Sequence, residues 1–444
     1  MGRCAVSTQK QKRPFALRAL AAFAGTLAIL FVLLLAAYAL PGERVRQHVY
    51  DSARTIQNEG LYPEYLGFKL FQMDNYTDTL MLFEAASADE LPPLQAMMTN
   101  TAYNVDNFET LADDLAWYIE KDWSTGAQRT DAPALEPFSY ARYWHGYLIW
   151  LRPLLLLMPY TGVRIVQYIV LFALLAVVLV QLRRRCGLRA AVWFAVSQLA
   201  VSVWFVPHQV QYFTCFMIAY AGCAWVLAKP RRSDVLCLGL LVLGTATAFC
   251  DLLVTPIITL GLPLTCWLLE PQQRLRGGVP QCALAVGGSL CWGTGYALCW
   301  AGKWVLAGAV TDNNVLADAL HQAEVRTTAD TWHGMELTWR NIFIFLYDTL
   351  NSHHLFWPAL AVLAVLIALF ILSIRSKTAL VRALPLALTT CMTPAWFALL
   401  RTHSIQHGWF TWRALGLTVF AGLAFLYYAC DLRAARRRLQ KGSI

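Results

Sequence analysis

The sequence predicts an all-α integral membrane protein with about ten transmembrane helices and a helical first external domain. Hydrophobic residues make up 58% of the 444 positions, charged residues only 14%, and the mean hydropathy is +0.46. Several apolar runs of about 20 residues are long enough to cross a hydrocarbon core about 30 Å thick. Basic residues recur in every second loop between these runs, which is typical of a multi-pass protein.

The apolar runs divide the chain into five segments. The cytoplasmic N-terminus and first helix occupy 1–40, and we expect this helix to be retained because its apolar run is longer than that of a signal peptide. A large external loop domain follows at 41–160, six helices at 161–302, a second external loop at 303–354, and three helices with a basic cytoplasmic tail at 355–444. The predicted spans are 15–40, 161–182, 189–207, 209–228, 233–250, 253–269, 279–302, 355–374, 383–400 and 414–430.

The distribution of charge predicts that both termini are cytoplasmic and that the protein lies in the cell membrane. Of the 36 Lys and Arg residues, 21 lie in the N-terminal segment, the alternate loops and the tail that are predicted to be inside. Only three of the 27 acids lie there. This is the asymmetry of the positive-inside rule. We therefore interpret the basic balance as an orientation signal and exclude nucleic-acid binding as its cause.

The first external segment is predicted to contain helices of its own. Residues 43–58 and 106–121 have the pattern of amphipathic helices. Residues 145–159 are apolar but too short to span the membrane, and a span here would invert every later loop. We predict that they form a helix lying on the outer leaflet.

Polar chemistry is concentrated on the predicted outer face. All nine histidines lie in external segments or at the outer ends of spans, whereas the centres of the spans are almost free of ionisable residues. Carriers coupled to protons or ions usually need charged side chains near the middle of the membrane. The pattern therefore favours an external site over a transport path.

The first candidate site is Asp74-Asn-Tyr-Thr-Asp78. On a helix, this spacing places the two carboxylates on one face. A general base is a carboxylate held within hydrogen-bond reach of the proton that it takes, and Asp74 and Asp78 are candidates. The alternative is a solvated helix face, because acids are frequent in this segment.

The second candidate is Tyr140-Ala-Arg-Tyr-Trp-His-Gly-Tyr147, followed by Arg152. Aromatic rings stack on sugars and a guanidinium pairs with two phosphate oxygens, so Arg142, His145 and Arg152 are candidates for binding a sugar phosphate. The alternative is an aromatic belt at the membrane interface.

The third candidate is the segment 401–413 between the last two spans, with Arg401, His403, His407 and Arg413. It suits a lipid-linked phosphate, and we expect the Arg413 charge at the level of the outer headgroups. The His403 and His407 spacing is compatible with zinc, but no glutamate accompanies it as a general base. The alternative is a connector that anchors two helix ends. Asp251 is a fourth candidate, or a cap for the next helix.

The layout resembles that of the GT-C superfamily of membrane glycosyltransferases, which use polyprenyl-phosphate-linked sugars. The shared features are one N-terminal span, a large first external loop with acids, an interfacial helix that closes this loop, and a membrane block with further external loops. In that family an Asp of the first external loop is the catalytic base, which implies Asp74 or Asp78 here. The family's acid usually follows the first span closely, whereas Asp74 lies about 34 residues beyond it. Asp51 is nearer and stays an alternative.

The resemblance implies inverting transfer from the lipid-linked donor to a glycan, lipid or protein acceptor of the cell envelope. Developing charge on the leaving phosphate needs fixed cations or donors, which the resemblance assigns to Arg142, His145, Arg152, Arg401, His407 and Arg413. No metal ligand set is predicted, and a divalent cation is left open as a cofactor. A lipid or polysaccharide transporter or flippase, an O-acyltransferase and a non-enzymatic envelope protein are the alternatives.

Overall fold

The computed structural model describes residues 14–103, 110, 111, 113, 137–311, 314–328, 330–332 and 334–431. Its regular structure is almost entirely helical, which confirms the all-α prediction. In chain order the helices are α1 (Phe15–Tyr38), α2 (Glu43–Glu59), α3 (Asn75–Ser87), α4 (Pro93–Thr99), α5 (Leu148–Leu155), α6 (Tyr160–Cys186), α7 (Leu188–Ala200), α8 (Val210–Ala228), α9 (Ser233–Cys250), α10 (Ile257–Leu268), α11 (Pro271–Arg276), α12 (Val279–Val310), α13 (Val315–Thr328), α14 (Ile344–Ser352), α15 (Phe356–Ser373), α16 (Lys377–Leu399), α17 (Arg401–Gln406), α18 (Gly408–Thr411) and α19 (Leu415–Ala429).

Strands are short and lie in the two external segments. Thr101–Tyr103 (β1) pairs antiparallel with Pro137–Ser139 (β2), and Ala102 lies opposite Phe138. Thr331–Trp332 (β3) pairs antiparallel with Met335–Glu336 (β4). These two-stranded pairs close loops and leave the architecture helical.

Seven helices in the described part of the chain are long and apolar enough to cross a membrane, in agreement with a multi-pass membrane protein. They are α1, α6, α8, α9, α12, α15 and the run Gly408–Ala429 that contains α18 and α19. The remaining predicted spans coincide with α7, α10 and α16, so the count of ten stays a prediction.

Helix α10 explains why counting spans from the sequence is difficult. Its 12 residues rise only about 18 Å, less than the thickness of a hydrocarbon core. All 12 are buried inside the protein. An apolar run that neighbouring helices cover on every side is hydrophobic because of protein packing and need not meet lipid at all.

Topology is the first testable prediction. Reporter fusions after residues 100, 330 and 407 are expected to read as external, and fusions after 186, 232, 378 and 440 as cytoplasmic, because basic loops stay inside. Paired alkaline phosphatase and green fluorescent protein fusions measure both sides. A cytoplasmic signal at position 330 contradicts the ten-span arrangement.

The external helices agree in part with the sequence. Helix α2 forms where residues 43–58 predicted it, whereas the predicted helix 106–121 lies largely outside the described residues. A helix also forms within 145–159, but as α5 it packs against α1 and α2 through Leu148, Leu151 and Leu155, each 0% exposed. Protein covers this face of α5, and its placement on the outer leaflet stays a prediction.

Close packing of α9 on α12 fixes the position of a row of aromatic residues described below. A Cβ atom on Gly244 would lie 2.1 Å from the Trp292 carbonyl oxygen, and one on Gly295 would lie 2.3 Å from the Leu241 carbonyl oxygen. Small residues allow helix backbones to approach in this way in membranes. Larger side chains at these two positions would therefore push the helices apart.

Candidate functional site

Asp74 and Asp78 lie where the N-terminal end of α3 meets the N-terminal end of α8. Asp74 is the N-cap of α3, and its carboxylate accepts hydrogen bonds from the Thr77 backbone N–H (3.0 Å) and hydroxyl (2.8 Å). Asp is favoured at this position because it satisfies an amide that the helix leaves unpaired. Asp74 is 3% exposed and Asp78 is 0% exposed. The alternative of a solvated helix face is therefore wrong.

Asp78 caps a second helix. Its carboxylate accepts hydrogen bonds from the backbone N–H groups of Val210 and Gln211, each at 3.1 Å, and from the Tyr160 hydroxyl. The start of α8 thus holds the carboxylate where the helix dipole favours negative charge. Burial raises the pKa of Asp78 to about 7, although the bonds from Tyr160 and Gln211 lower it. Because both oxygens are bonded to the fold, this side chain positions α3 against α8.

Asp74 faces a different set of side chains. Gln211 donates a side-chain hydrogen bond to it. Burial, and after it the charge of Asp74, raises the pKa of Tyr62 to about 12. Burial also raises the pKa of Asp74 above its usual range, against the bonds from Thr77 and Gln211. A carboxylate with a raised pKa suits a general base that works near neutral pH.

Tyr212 connects Arg413 to the Asp74 region, because it interacts electrostatically with both Asp74 and Arg413. The guanidinium carbon lies 4.5 Å from the centroid of the Tyr212 ring. It donates hydrogen bonds to the carbonyl oxygens of Trp409 (3.1 Å) and Leu70 (3.4 Å). Arg413 is 1% exposed, so the expectation that its charge lies among lipid headgroups is wrong: protein encloses it.

An ion pair that the sequence analysis missed contacts the start of α3. Arg164 pairs with both carboxylate oxygens of Glu59, at 2.5 and 2.8 Å, and its Nε donates to the His208 carbonyl oxygen at 2.9 Å. The Asn75 amide donates to the same carboxylate (3.2 Å). The pair joins α2, α3 and α6. A lone Arg near the end of an apolar run was the only signal for it in the sequence.

A second region, which we call the outer pocket because the charge asymmetry predicts it on the external side, is partly open to solvent and contains about 580 Å³ of empty volume between α13, α12 and α16. Two arginines and several aromatic side chains form most of its wall, and none of the described residues that line it is acidic. These wall residues are Arg142, Tyr143, Tyr296, Trp300, Trp304, Arg326 and Trp396. The pocket therefore combines cationic groups with flat apolar surfaces.

The aromatic wall comes from a regular row on α12. Trp292, Tyr296, Trp300 and Trp304 are spaced four residues apart, and successive ring centroids are 4.8, 4.9 and 6.1 Å from one another. Residues at this spacing share one helix face. The same spacing is visible in the sequence, so a search for repeated aromatic positions would have found this surface.

The two arginines of the outer pocket come from different external segments. Arg142 lies 4.5 Å over the Tyr140 ring and pairs with Asp318 at 3.3 Å. Its Nε is buried and has no hydrogen-bond partner within the described residues. Arg326 belongs to α13, in the second external loop, and the sequence analysis did not select it. The Arg326 guanidinium makes no hydrogen bond or ion pair with another residue in the ranges that the structure describes.

The segment 401–413 connects the outer pocket to the Asp74 region. His403 donates its Nε2 hydrogen to the carbonyl oxygen of Leu253, a pocket residue, at 2.9 Å. The His403 and His407 ring centroids are 4.7 Å apart, and the His407 ring lies 6.0 Å from that of Trp409. Trp409 in turn lies 5.1 Å from Tyr62, beside Asp74. The chain of contacts places both regions along one loop.

The histidines of this segment are not cationic at neutral pH. Burial, with the nearby Arg326 charge, lowers the pKa of His407 to about 4. Burial lowers the pKa of His403 well below its usual range as well, with contributions from His407 and Arg326. The described cationic residues that line the outer pocket are therefore Arg142 and Arg326. Among the residues described, no group of three His, Cys, Asp or Glu side chains is placed to hold a metal ion.

Asp251 shapes the turn next to the outer pocket. Its carboxylate accepts a hydrogen bond from the Val254 backbone N–H at 3.0 Å, and Leu253 between them has a φ of 68°. A bulky residue in the left-handed region needs such support. Burial raises the pKa of Asp251 to about 7, against hydrogen bonds from Cys215 and from the turn. Asp251 holds the Leu253 carbonyl where His403 reaches it.

Three predicted residues lie outside both regions. His145 pairs with Glu84 at 2.7 Å and is 1% exposed. Arg152 is 0% exposed and donates to the Leu40 carbonyl oxygen at 2.7 Å. The Arg401 guanidinium lies 5.9 Å from the Trp339 ring. The structure therefore gives His145 and Arg152 roles inside the fold.

A buried polar cluster behind Trp144 was also missed. Lys303 is 0% exposed and donates to the Met97 carbonyl oxygen (2.7 Å) and to Asn100 Oδ1 (2.6 Å). Its ammonium lies 5.5 Å from the Trp144 ring, which is itself 0% exposed. Trp144 thus packs inside the protein, and the aromatic-belt interpretation is wrong for it. Lys303 begins the predicted second external loop, and the sequence analysis did not select it.

Comparison of the chain with protein-family models, with curated proteins and with solved structures found no match.

Proposed function

We propose that the chain is a membrane glycosyltransferase that takes a polyprenyl-phosphate-linked sugar in the outer pocket and transfers the sugar to an acceptor of the cell envelope. The observation that carries the proposal is the composition of this pocket. Two arginines and a row of neighbouring aromatic rings line one apolar cavity. Guanidinium groups bind phosphate, and aromatic faces suit sugars and prenyl chains.

Phosphate binding is assigned to Arg142 and Arg326. They enter the pocket from opposite external segments, and none of the described lining residues is acidic. The Arg142 Nε is buried and has no hydrogen-bond partner among the described residues, so a phosphate oxygen would satisfy it. As the sugar leaves, charge grows on the phosphate, and fixed cations stabilise that charge most strongly in a site with little water.

Asp74 is the residue that we assign as general base. Asp78 is occupied by the start of α8, whereas Asp74 faces Tyr62, Gln211 and the Arg413 neighbourhood. The Asp74 carboxylate takes the proton of the acceptor hydroxyl while the acceptor oxygen bonds to the anomeric carbon. The bond from that carbon to the phosphate oxygen breaks, and polyprenyl phosphate leaves. Attack opposite the leaving group inverts the anomeric carbon.

The segment 401–413 supports a single site in which donor and acceptor meet. Its first half contacts the outer pocket through His403, and its second half contacts the Asp74 region through Trp409 and Arg413. Neutral imidazoles can donate hydrogen bonds to phosphate or sugar oxygens without adding charge. A movement of this loop would bring the lipid-linked donor toward the base.

Replacing Arg326 by Ala is expected to weaken the binding of undecaprenyl phosphate by at least about tenfold, because hydrogen bonds to a charged group contribute about 1.5–3 kcal/mol. The measurement is retention of radiolabelled undecaprenyl phosphate on the purified full-length protein in neutral detergent. Arg340→Ala is the matched control, since Arg340 is an exposed arginine of the same external loop outside the pocket.

Transfer is measured separately with radiolabelled undecaprenyl-phosphate hexoses and pentoses and with envelope extracts as acceptors. Equal loss of binding in Arg326→Ala and Arg340→Ala removes the support for a specific pocket. If the protein binds the lipid phosphate in the outer pocket but transfers no sugar from any donor, a lipid carrier or flippase explains the site better.

Arg413→Lys is expected to lose at least about tenfold in catalytic efficiency, or about 1.4 kcal/mol of transition-state binding. Lys keeps the charge but cannot stack its planar fork on Tyr212 while donating to two carbonyl oxygens. The folded yield by fluorescence-detected size exclusion separates this effect from loss of protein. Wild-type activity in both Arg413→Lys and Arg413→Ala would show that the segment 401–413 only connects two helices.

A further inference from the structure

A second pocket lies at the opposite ends of the membrane helices, where the charge asymmetry predicts the cytoplasmic side. We call it the inner pocket. It contains about 900 Å³ of empty volume between α11, the start of α12, the start of α16 and the end of α19. Its walls include Arg274, Gln281, Arg375, Arg382, Leu386 and Tyr428.

Three arginines converge on the inner pocket, and none of the described residues that line it is acidic. Glu270, the acid that directly precedes α11, is already paired with Arg185 at 2.6 Å. Basic pockets between membrane helices on the cytoplasmic side are typical sites for anionic headgroups. The uncompensated charge therefore favours an anion in this space.

The guanidinium groups are partly free to bind such an anion. Arg274 donates to the Tyr428 hydroxyl and lies 5.2 Å from the centroid of that ring, but its Nε is buried and has no partner among the described residues. Arg375 is held by the end of α19, donating to the carbonyl oxygens of Cys430 (2.5 Å) and Tyr427 (3.3 Å). The Arg382 guanidinium makes no hydrogen bond or ion pair with another residue in the part of the chain that the structure describes.

The inner pocket is polar at one end and apolar at the other. Arg375 precedes α16, along which the lining runs from Thr378 through Arg382 to Leu386, and Leu268 of α10 lies on the same wall. The distance from Thr378 to Leu386 along α16 is about 12 Å, which extends toward the hydrocarbon core. A site with cations at the membrane surface and an apolar wall below them fits a headgroup that is attached to an acyl chain.

We propose that the inner pocket binds a phosphate ester, supplied by the headgroup of an anionic lipid of the inner leaflet. Arg274 and Arg382 contact the phosphate oxygens, Arg375 adds charge, and the first part of an acyl chain lies against Leu268 and Leu386. The site is independent of the proposed outer-face activity. The bound lipid joins the ends of α11, α12, α16 and α19.

The test measures binding of dioleoyl phosphatidylglycerol to the purified full-length protein in neutral detergent by native mass spectrometry, with dioleoyl phosphatidylcholine as the neutral lipid. Arg382→Gln is expected to weaken phosphatidylglycerol binding by about fivefold, which corresponds to one surface arginine, and Arg274→Gln by at least as much. Arg276→Gln is the matched control, because Arg276 is an exposed arginine that shares α11 with Arg274 but lies outside the pocket. This variant should change phosphatidylglycerol binding by less than twofold.

Arg382→Gln keeps the test decisive even if Arg274→Gln fails to fold, since the Arg382 guanidinium makes no hydrogen bond or ion pair within the described residues. Inorganic phosphate and glycerol 3-phosphate form a second arm as competitors. If they bind as tightly as the lipid does, the phosphate site stands but its source is soluble and the lipid assignment falls. Equal binding of phosphatidylcholine, or an equal loss in Arg276→Gln, overturns the proposal. The test measures lipid binding and does not involve sugar transfer, so its outcome is independent of the proposed function.

Discussion

Replacing Asp74 by Asn is expected to lower sugar transfer by about 10²- to 10⁴-fold, the usual effect of removing a general base. Asn keeps the size of the side chain and can still accept hydrogen bonds from Thr77, so α3 retains its cap. The amide cannot take a proton from the acceptor hydroxyl. Initial rates with an undecaprenyl-phosphate sugar, normalised to folded protein, measure the loss.

Two other carboxylates serve as controls for Asp74. Asp51 is exposed and contacts Gln47 at 3.1 Å, so Asp51→Asn should keep wild-type transfer and folding. Asp78→Asn removes the charge that caps α8, so its first effect should be a lower melting temperature. Wild-type transfer in Asp74→Asn together with a large loss in Asp51→Asn would identify Asp51 as the base.

The pH dependence gives an independent readout of Asp74. A base must be ionised, so catalytic efficiency should rise with pH through the pKa of Asp74 and level off above it. Burial raises the pKa of Asp74 above the usual range of Asp. The rise of catalytic efficiency on the acid side should therefore be centred above a pH of about 4. The limb should vanish from the residual activity of Asp74→Asn. A limb that persists there unchanged belongs to another group.

Glu59→Gln is expected to destabilise the protein by about 3 kcal/mol, because it leaves the Arg164 charge without its partner. The Arg164 side chain is only 7% exposed, and the two bonds to Glu59 hold α2 against α6. Thermal unfolding of the purified protein, followed by circular dichroism in one detergent, measures the shift. The double variant Glu59→Gln with Arg164→Gln should recover part of the loss, since no charge is then stranded.

Asp318→Asn is the matched control, since it removes the carboxylate from an arginine pair whose acid is 45% exposed. Its cost should be below about 1 kcal/mol, as is usual for surface pairs. Burial raises the pKa of Glu59, but the bonds and charge of Arg164 outweigh it and lower the pKa overall. The stabilisation from Glu59 is therefore present above its unfolded pKa and is lost as pH falls through its lowered folded pKa. If Glu59→Gln costs no more than Asp318→Asn, the pair is not a structural support.

The pattern of hydropathy and charge was sufficient to predict the class of fold. Apolar runs such as 15–40 and 161–182 became α1 and α6 because a membrane-spanning segment must satisfy its backbone locally. Helix α2 formed at its predicted position because apolar residues that recur every three to four positions specify one buried face. These properties depend on neighbours in the sequence, so the sequence alone carries them.

The site could be predicted only in part. Asp74, Arg142 and the segment 401–413 were selected for their residue types, and the structure brings them to two connected regions. Arg326 and the aromatic row of α12 were missed because their significance depends on which helices pack side by side. The buried Lys303 was not selected, since only the fold places Asn100 and two backbone carbonyls around it.

The sequence by itself determined the helical class, the predicted orientation and the concentration of polar groups on one face, because each follows from local composition. The tertiary structure alone decided that Asp78 belongs to the start of α8, that Arg413 is enclosed by protein, and that Arg142 and Arg326 line one cavity. The physical reason is that the environment of a charge is set by residues distant in the chain. Arg413 and Leu70 are 343 positions apart, yet their 3.4 Å contact helps to hold the guanidinium inside the protein.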